Sequence, residues 1–144
     1  MADPLQSWRL WALLSAAFAA LTAVLAKAGV EGIASETATF LRTLVILALT
    51  GAIMLLAGQA QGLGRIPGRS ALLLVLSGLA TGASWLCYFR ALSLGDAAKV
   101  APLDKLSVVL VALFGVLFLG ERLSATNWLG IGLITAGALL VAWR

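Results

Sequence analysis

The chain has no histidine, a single cysteine, three prolines and only 11% charged residues. Without histidine and with one thiol, Cys87, it can assemble no zinc site, haem attachment or intrachain disulfide, so no metal and no cofactor are expected. Cys87 falls inside an apolar stretch and reads as a small packing residue. Soluble domains carry roughly 25% charged residues; less than half that, with 62% hydrophobic residues, marks an all-α integral membrane protein. The net charge of +4 does not point to nucleic acid. The basic residues stand at the ends of apolar runs, where they act as topology signals and snorkelling groups.

What is abundant is uncharged sequence. Leu10 to Ala26, Thr43 to Gly64, Ser70 to Phe89, Leu106 to Gly120 and Leu123 to Trp143 are free of charge. About 20 helical residues cross a hydrocarbon core. Five membrane helices follow, over about residues 8–28, 36–56, 70–92, 102–119 and 126–143. They leave almost nothing for a separate soluble domain, which excludes a soluble enzyme and places the work of residues 1–144 inside or across the bilayer. Arg9, an apolar run and Ala26-Lys27-Ala28 imitate a signal peptide, but the run is longer than a signal core and reads as the first membrane helix, with Lys27 snorkelling from its end.

Polar residues inside the spans mark candidate sites. Ser35 is a candidate N-cap for the second span and Glu36 suits its first turn. Arg42 lies about two turns in, where Thr39, Thr43 and Thr50 share its side of the helix. A charge at the bilayer centre costs about 2.5 to 3.5 kcal/mol, so Arg42 either snorkels or faces a polar interior; the threonines favour the interior. Gly58 to Arg69 reads as a loop. In the third span Gly78 and Gly82 form a close-packing pair, and Ser77, Thr81, Ser84 and Tyr88 form a polar stripe beside Trp85, which is too deep for an interfacial belt, with Arg90 just beyond. Leu92 to Val100 reads as a tight connection. Pro102 suits the first turn of the fourth helix, which places Asp104 in a favourable position for the dipole and Lys105 in an unfavourable one. Pro102 and Glu121 are the structural candidates; Glu121, at a helix junction, is expected to satisfy backbone N–H groups. Ser124 is a candidate cap for the fifth span, whose Gly130, Gly132, Ala136 and Gly137 form a small-residue seam suited to helix association within or between subunits.

Five spans put the termini on opposite sides. Arg9, Arg65, Arg69 and Arg122 collect on one side, and Lys27, Arg42, Arg90, Lys99, Lys105 and Arg144 on the other. With Arg42, Arg90 and Lys105 assigned to a pocket, the positive-inside balance barely chooses an orientation. The Arg65 to Arg69 loop favours a cytoplasmic N-terminus, and near balance permits insertion both ways. Two oppositely inserted copies would reproduce the arrangement that inverted-repeat transporters carry in one polypeptide.

The run from Tyr88-Phe89-Arg90-Ala91-Leu92 to Pro102, then Phe118-Leu119-Gly120-Glu121 and Trp128-Leu129-Gly130, with Lys27 ending span one and Arg42 early in span two, resembles the EamA-type domain of the drug/metabolite transporter superfamily. The resemblance covers nearly the whole chain. It implies that larger relatives carry two such domains as inverted repeats in ten helices, and that this chain is one five-helix half-transporter domain, paired as a homodimer with antiparallel orientation favoured. It implies a multi-pass protein of a bacterial or archaeal inner (plasma) membrane, with the lipid bilayer and a small-molecule substrate as partners. Asp104 and Lys105 depart from the family's apolar pattern. The first-helix glutamate of the smallest multidrug-exporting relatives is missing, which argues against proton-coupled cation export by that route. The expected substrate-binding set is Arg42, Ser84, Trp85, Tyr88, Arg90, Asp104 and Lys105. On the side where it lies, up to Lys105, Lys27, Arg42, Arg90, Lys99 and Lys105 stand against Glu31, Glu36, Asp96 and Asp104, and this slight positive excess favours a zwitterionic or anionic metabolite. A non-transporting scaffold or accessory subunit, with the same charges as interhelical locks, and a heterodimer with another half-domain are the alternatives.

Overall fold

Residues 7–143 are described in a computed structural model; Arg144, counted above for topology, lies outside them. Helices α1 (Trp8–Gly29), α2 (Ser35–Leu56), α3 (Gly68–Leu94), α4 (Ala97–Asp104), α5 (Ser107–Phe118) and α6 (Ala125–Ala142) follow in order, with a 3₁₀ helix at Gln59–Arg65. Five segments are long and apolar enough to span a membrane, α4 and α5 counting together as Ala97–Phe118. Nearly all of their large apolar side chains are exposed in the single chain, as surfaces meant for lipid or for other protein must be.

Three local readings are corrected. The N-cap of α2 is Ala34, and Ser35 is instead its first residue, buried, with no side-chain capping bond. Its carbonyl accepts from Thr39 Oγ1 at 2.8 Å. The polar Gly58 to Arg69 connection is not wholly irregular: Gly58 turns at φ 67° and the chain then forms the 3₁₀ segment. The largest difference is in the fourth span. Pro102 does not open that helix; it lies within α4, which begins after Asp96. Asp96 has extended backbone, and its carbonyl accepts from Lys99 and Val100 N–H at 2.9 and 3.0 Å, so the helix starts there. Pro102 then removes the donor that Ala98 would have used. Within one turn the ladder tightens to three-residue steps, Lys105 N–H to Pro102, Leu106 to Leu103, Val108 to Lys105 and Val109 to Leu106, each 3.0 to 3.1 Å. Thus Asp104 ends α4 and Lys105 is its C-cap, where a cation is the favourable sign for the dipole and an acid is not.

The chain divides into two units. One holds α1 through Lys27 together with everything from Leu94 onward; the other is Ala28–Ser93. In the first unit α6 packs on α4 and α5. Of the less exposed positions of α6, Gly130, Ile131, Thr135, Ala138 and Ala142, the last four recur at three- and four-residue steps, and the buried residues of α1, α5 and α6 are Ala23, Ala112, Gly115 and Ala138. Small residues there let backbones approach where lipid gives no hydrophobic drive. Lys27 Nζ donates to the Gly95 carbonyl at 3.0 Å, so it is tied to the corner after α3 and does not simply snorkel. Gly120, at φ 70°, turns the chain out of α5, and Glu121 N–H closes on the Gly115 carbonyl at 3.0 Å. Ser124 caps α6 in a reciprocal box with Asn127.

At 100° per residue, Gly132, Ala136, Gly137 and Gly130 all fall within an arc of about 160° on the side of α6 turned away from the packed stripe. A Cβ added at Gly130, Gly132 or Gly137 would meet nothing within 4 Å, and the same holds at Gly78 and Gly82.

Candidate functional site

The second unit gathers the aromatic half of the expected set. Trp85, Tyr88 and Phe89 stand three and four residues apart on α3 and therefore share a face. Trp85 meets Tyr88 edge-on, with centroids 5.4 Å apart and planes at 79°. It meets Phe89 at 5.7 Å and 48°. Across from them, Arg42 of α2 lays its guanidinium over the Trp85 ring, Cζ 3.2 Å from the centroid, with the Phe89 ring at 6.0 Å. Arg42, Trp85 and Tyr88 are half-buried and Phe89 is 3% exposed.

This arrangement explains how an arginine about 10 Å inside a membrane helix persists without an acid beside it. The indole face attracts the cation, and a cation–π contact uses none of the guanidinium's N–H donors. Among the described residues Arg42 makes no ion pair and no hydrogen bond. A planar fork of donors placed against an aromatic wall is suited to bidentate capture of a carboxylate or phosphate.

The threonines do not contribute as expected. Thr39, Thr43, Thr50 and Thr81 each donate to the carbonyl four residues earlier, at 2.7 to 2.9 Å. Their hydroxyls are satisfied within their own helices, so these four threonines need no polar surface opposite them. Ser84 is exposed beside Trp85, and Arg90 is exposed about 140° around α3 from Trp85, off the aromatic face. Phe89 was missed by the sequence reading; its position four residues after Trp85 was the available signal.

Asp104 and Lys105 belong to the other unit. Lys105 Nζ lies 3.1 Å from Asp104 Oδ2, and the side chains remain 56% and 38% exposed for lysine and aspartate. Lys99 and Asp96 pair more loosely at 3.6 Å. The Glu121 side chain does not reach backbone N–H groups among the described residues. Its carboxylate lies against Gly115, where an added Cβ would come within 2.5 Å of Oε2, and the closure of α5 is made by its backbone instead. Among the described residues no three His, Cys, Asp or Glu side chains cluster to hold a metal ion.

The family model of the EamA-like transporter family matches residues 6–143. An uncharacterized transporter in cobO 3'region, from Sinorhizobium sp, is 68% identical over 137 residues, covering 95% of this chain and 97% of that protein. A riboflavin transporter from Rhizobium johnstonii is 33% identical over 107 residues, which are 74% of this chain but only 34% of that longer protein. No solved structure gives a significant match.

Proposed function

The chain belongs to the EamA-like transporter family, a multi-pass membrane transporter of the drug/metabolite superfamily and not an enzyme, and from that premise we propose that it is one half of a small-molecule carrier working by alternating access as an antiparallel homodimer in a bacterial inner membrane. The longer relative supports this: its match to the chain accounts for 34% of its length, which leaves room for a second domain of the same size. Inverted repeats place the substrate near the membrane midplane at the repeat interface, and two oppositely inserted copies meet that requirement with one sequence. The near-even distribution of basic residues supports insertion both ways.

The observation that carries the site is Arg42 stacked on Trp85 at 3.2 Å. It favours an anionic or zwitterionic solute, held by the guanidinium fork against a wall of Trp85 and Tyr88, with Ser84 and Arg90 further along α3. Asp104 and Lys105, which lie in the other unit, are proposed as a second polar pair that transport requires.

The test is flux into proteoliposomes of the purified protein, with riboflavin first, because a relative bears that name, then amino acids and simple carboxylates. A transported carboxylate or amino acid supports the anionic reading; riboflavin alone, a neutral solute, replaces it with recognition by stacking. Arg42→Ala and Asp104→Ala should each abolish the flux while the protein stays monodisperse. Flux that survives both substitutions places the pocket elsewhere.

A further inference from the structure

The break between α4 and α5 puts charge where a lipid-facing helix has none. The middle of the span Ala97–Phe118 falls between Ser107 and Val108, so Asp104 and Lys105 lie within about 5 Å of mid-span along the axis. Both side chains are substantially exposed, and their 3.1 Å pairing is between sequence neighbours, so it covers neither of them. Asp104 Oδ1 has no partner among the described residues, and among them Lys105 Nζ bonds only Asp104 Oδ2. An ion pair at that depth has to be covered by protein or by a water-filled cavity.

We propose that this site is the pairing surface for a second, oppositely inserted copy of the same chain, with Asp104 of each copy facing Lys105 of the other. The inference rests on the antiparallel dimer reading and adds the residues that make it. In an isologous contact, residue i meets j and j meets i. An acid and a base side by side are therefore self-complementary: one twofold operation yields two cross-chain ion pairs. Depth supplies the second condition. When the twofold axis lies in the bilayer plane, only residues near mid-span can meet their own counterparts, and these are such residues. The break itself assists, because the three-residue hydrogen-bond steps from Lys105 to Val109 tighten the helix there.

The experiment co-expresses two tagged copies, one with FLAG and one with Strep, and measures co-purification from detergent. In Asp104→Lys both neighbouring positions are basic, and in Lys105→Asp both are acidic. Each variant should pair with itself at least about tenfold less than the wild type, because like charges then face each other. Asp104→Lys co-expressed with Lys105→Asp should pair within about twofold of the wild type. Self-pairing of either variant at the wild-type level, or a mixture that pairs no better than its components, overturns the proposal.

A second measurement leaves the charges alone and guards against variants that do not fold. With Cys87→Ala as background, Ser107→Cys should form an oxidative cross-link to its own counterpart in native membranes, whereas Phe118→Cys, at the span's end, should not. Cross-linking at both positions indicates parallel copies and overturns the antiparallel premise. Cross-linking at neither removes this surface from the interface. Both readouts are independent of flux, so loss of the dimer and loss of the transport assignment are distinguishable.

Discussion

Charge inside the two units is handled in opposite ways. In Ala28–Ser93 the arginine within the second span, Arg42, is held by rings from another helix. From Leu94 onward the charges lean on their own stretch of chain: Asp96 with Lys99, Asp104 with Lys105, and Glu121 against the helix it follows. The first device depends on two helices meeting in one rotation and leaves donors open for a ligand. The second needs only local geometry and marks where helices start, break and stop. Arg42 therefore reads as recognition, and most of the charges in the other unit read as punctuation.

Substitutions can break or sharpen that contrast. The largest effect should come from Arg42→Gln, which removes a desolvated cation–π contact worth about 2 kcal/mol or more and should lower flux at least about 30-fold. Thermal stability in detergent should change little, because an embedded charge is lost as well. Arg42→Lys should recover only part of the flux, since an ammonium keeps the charge but not the planar fork. In the other unit the order of effects should reverse. Lys27→Met removes a charged donor from the Gly95 carbonyl and should cost about 1.5 to 3 kcal/mol, read as a lower unfolding temperature. Gly115→Val should cost about 1 to 3 kcal/mol by overpacking. Much of that should return in the double variant with Glu121→Ala, because the valine then occupies the space the carboxylate held. Ser124→Ala should cost about 1 kcal/mol as a lost helix cap. The smallest effect belongs to Thr43→Ala, within about 0.5 kcal/mol and without change in flux, because its hydroxyl bonds its own helix. A large flux loss at Thr43 would undo the distinction drawn between it and Arg42.

Much of the scaffold is legible in the sequence for a simple reason: apolar runs of membrane length separated by charge leave few options for the backbone. The Ser124 cap is legible too, because it depends on residues within one turn. The break in the fourth span is not, since Pro102 is compatible with a helix start or a helix interior and the choice depends on where α3 ends. Gly95-Asp96 was the local sign, with Asp96 able to begin a helix before the proline. The threonines of α2 and α3 were misread for a related reason. Threonine periodicity says which side a hydroxyl is on, not whether its own backbone has already bonded it. The stacking of Arg42 on Trp85 was beyond sequence altogether, because it requires the relative rotation of two helices.

The bond from Lys27 to Gly95 spans 68 residues, and it joins pieces of one unit between which the whole of the other is threaded. During synthesis at about 5 to 20 residues per second, α1 waits roughly 3 to 14 s before its partner carbonyl leaves the ribosome. Meanwhile α2 and α3 can pair with each other. The aromatic site is thus able to form early from neighbouring helices, whereas the unit begun by α1 is completed last, and the lysine at its end stays without the Gly95 carbonyl until then.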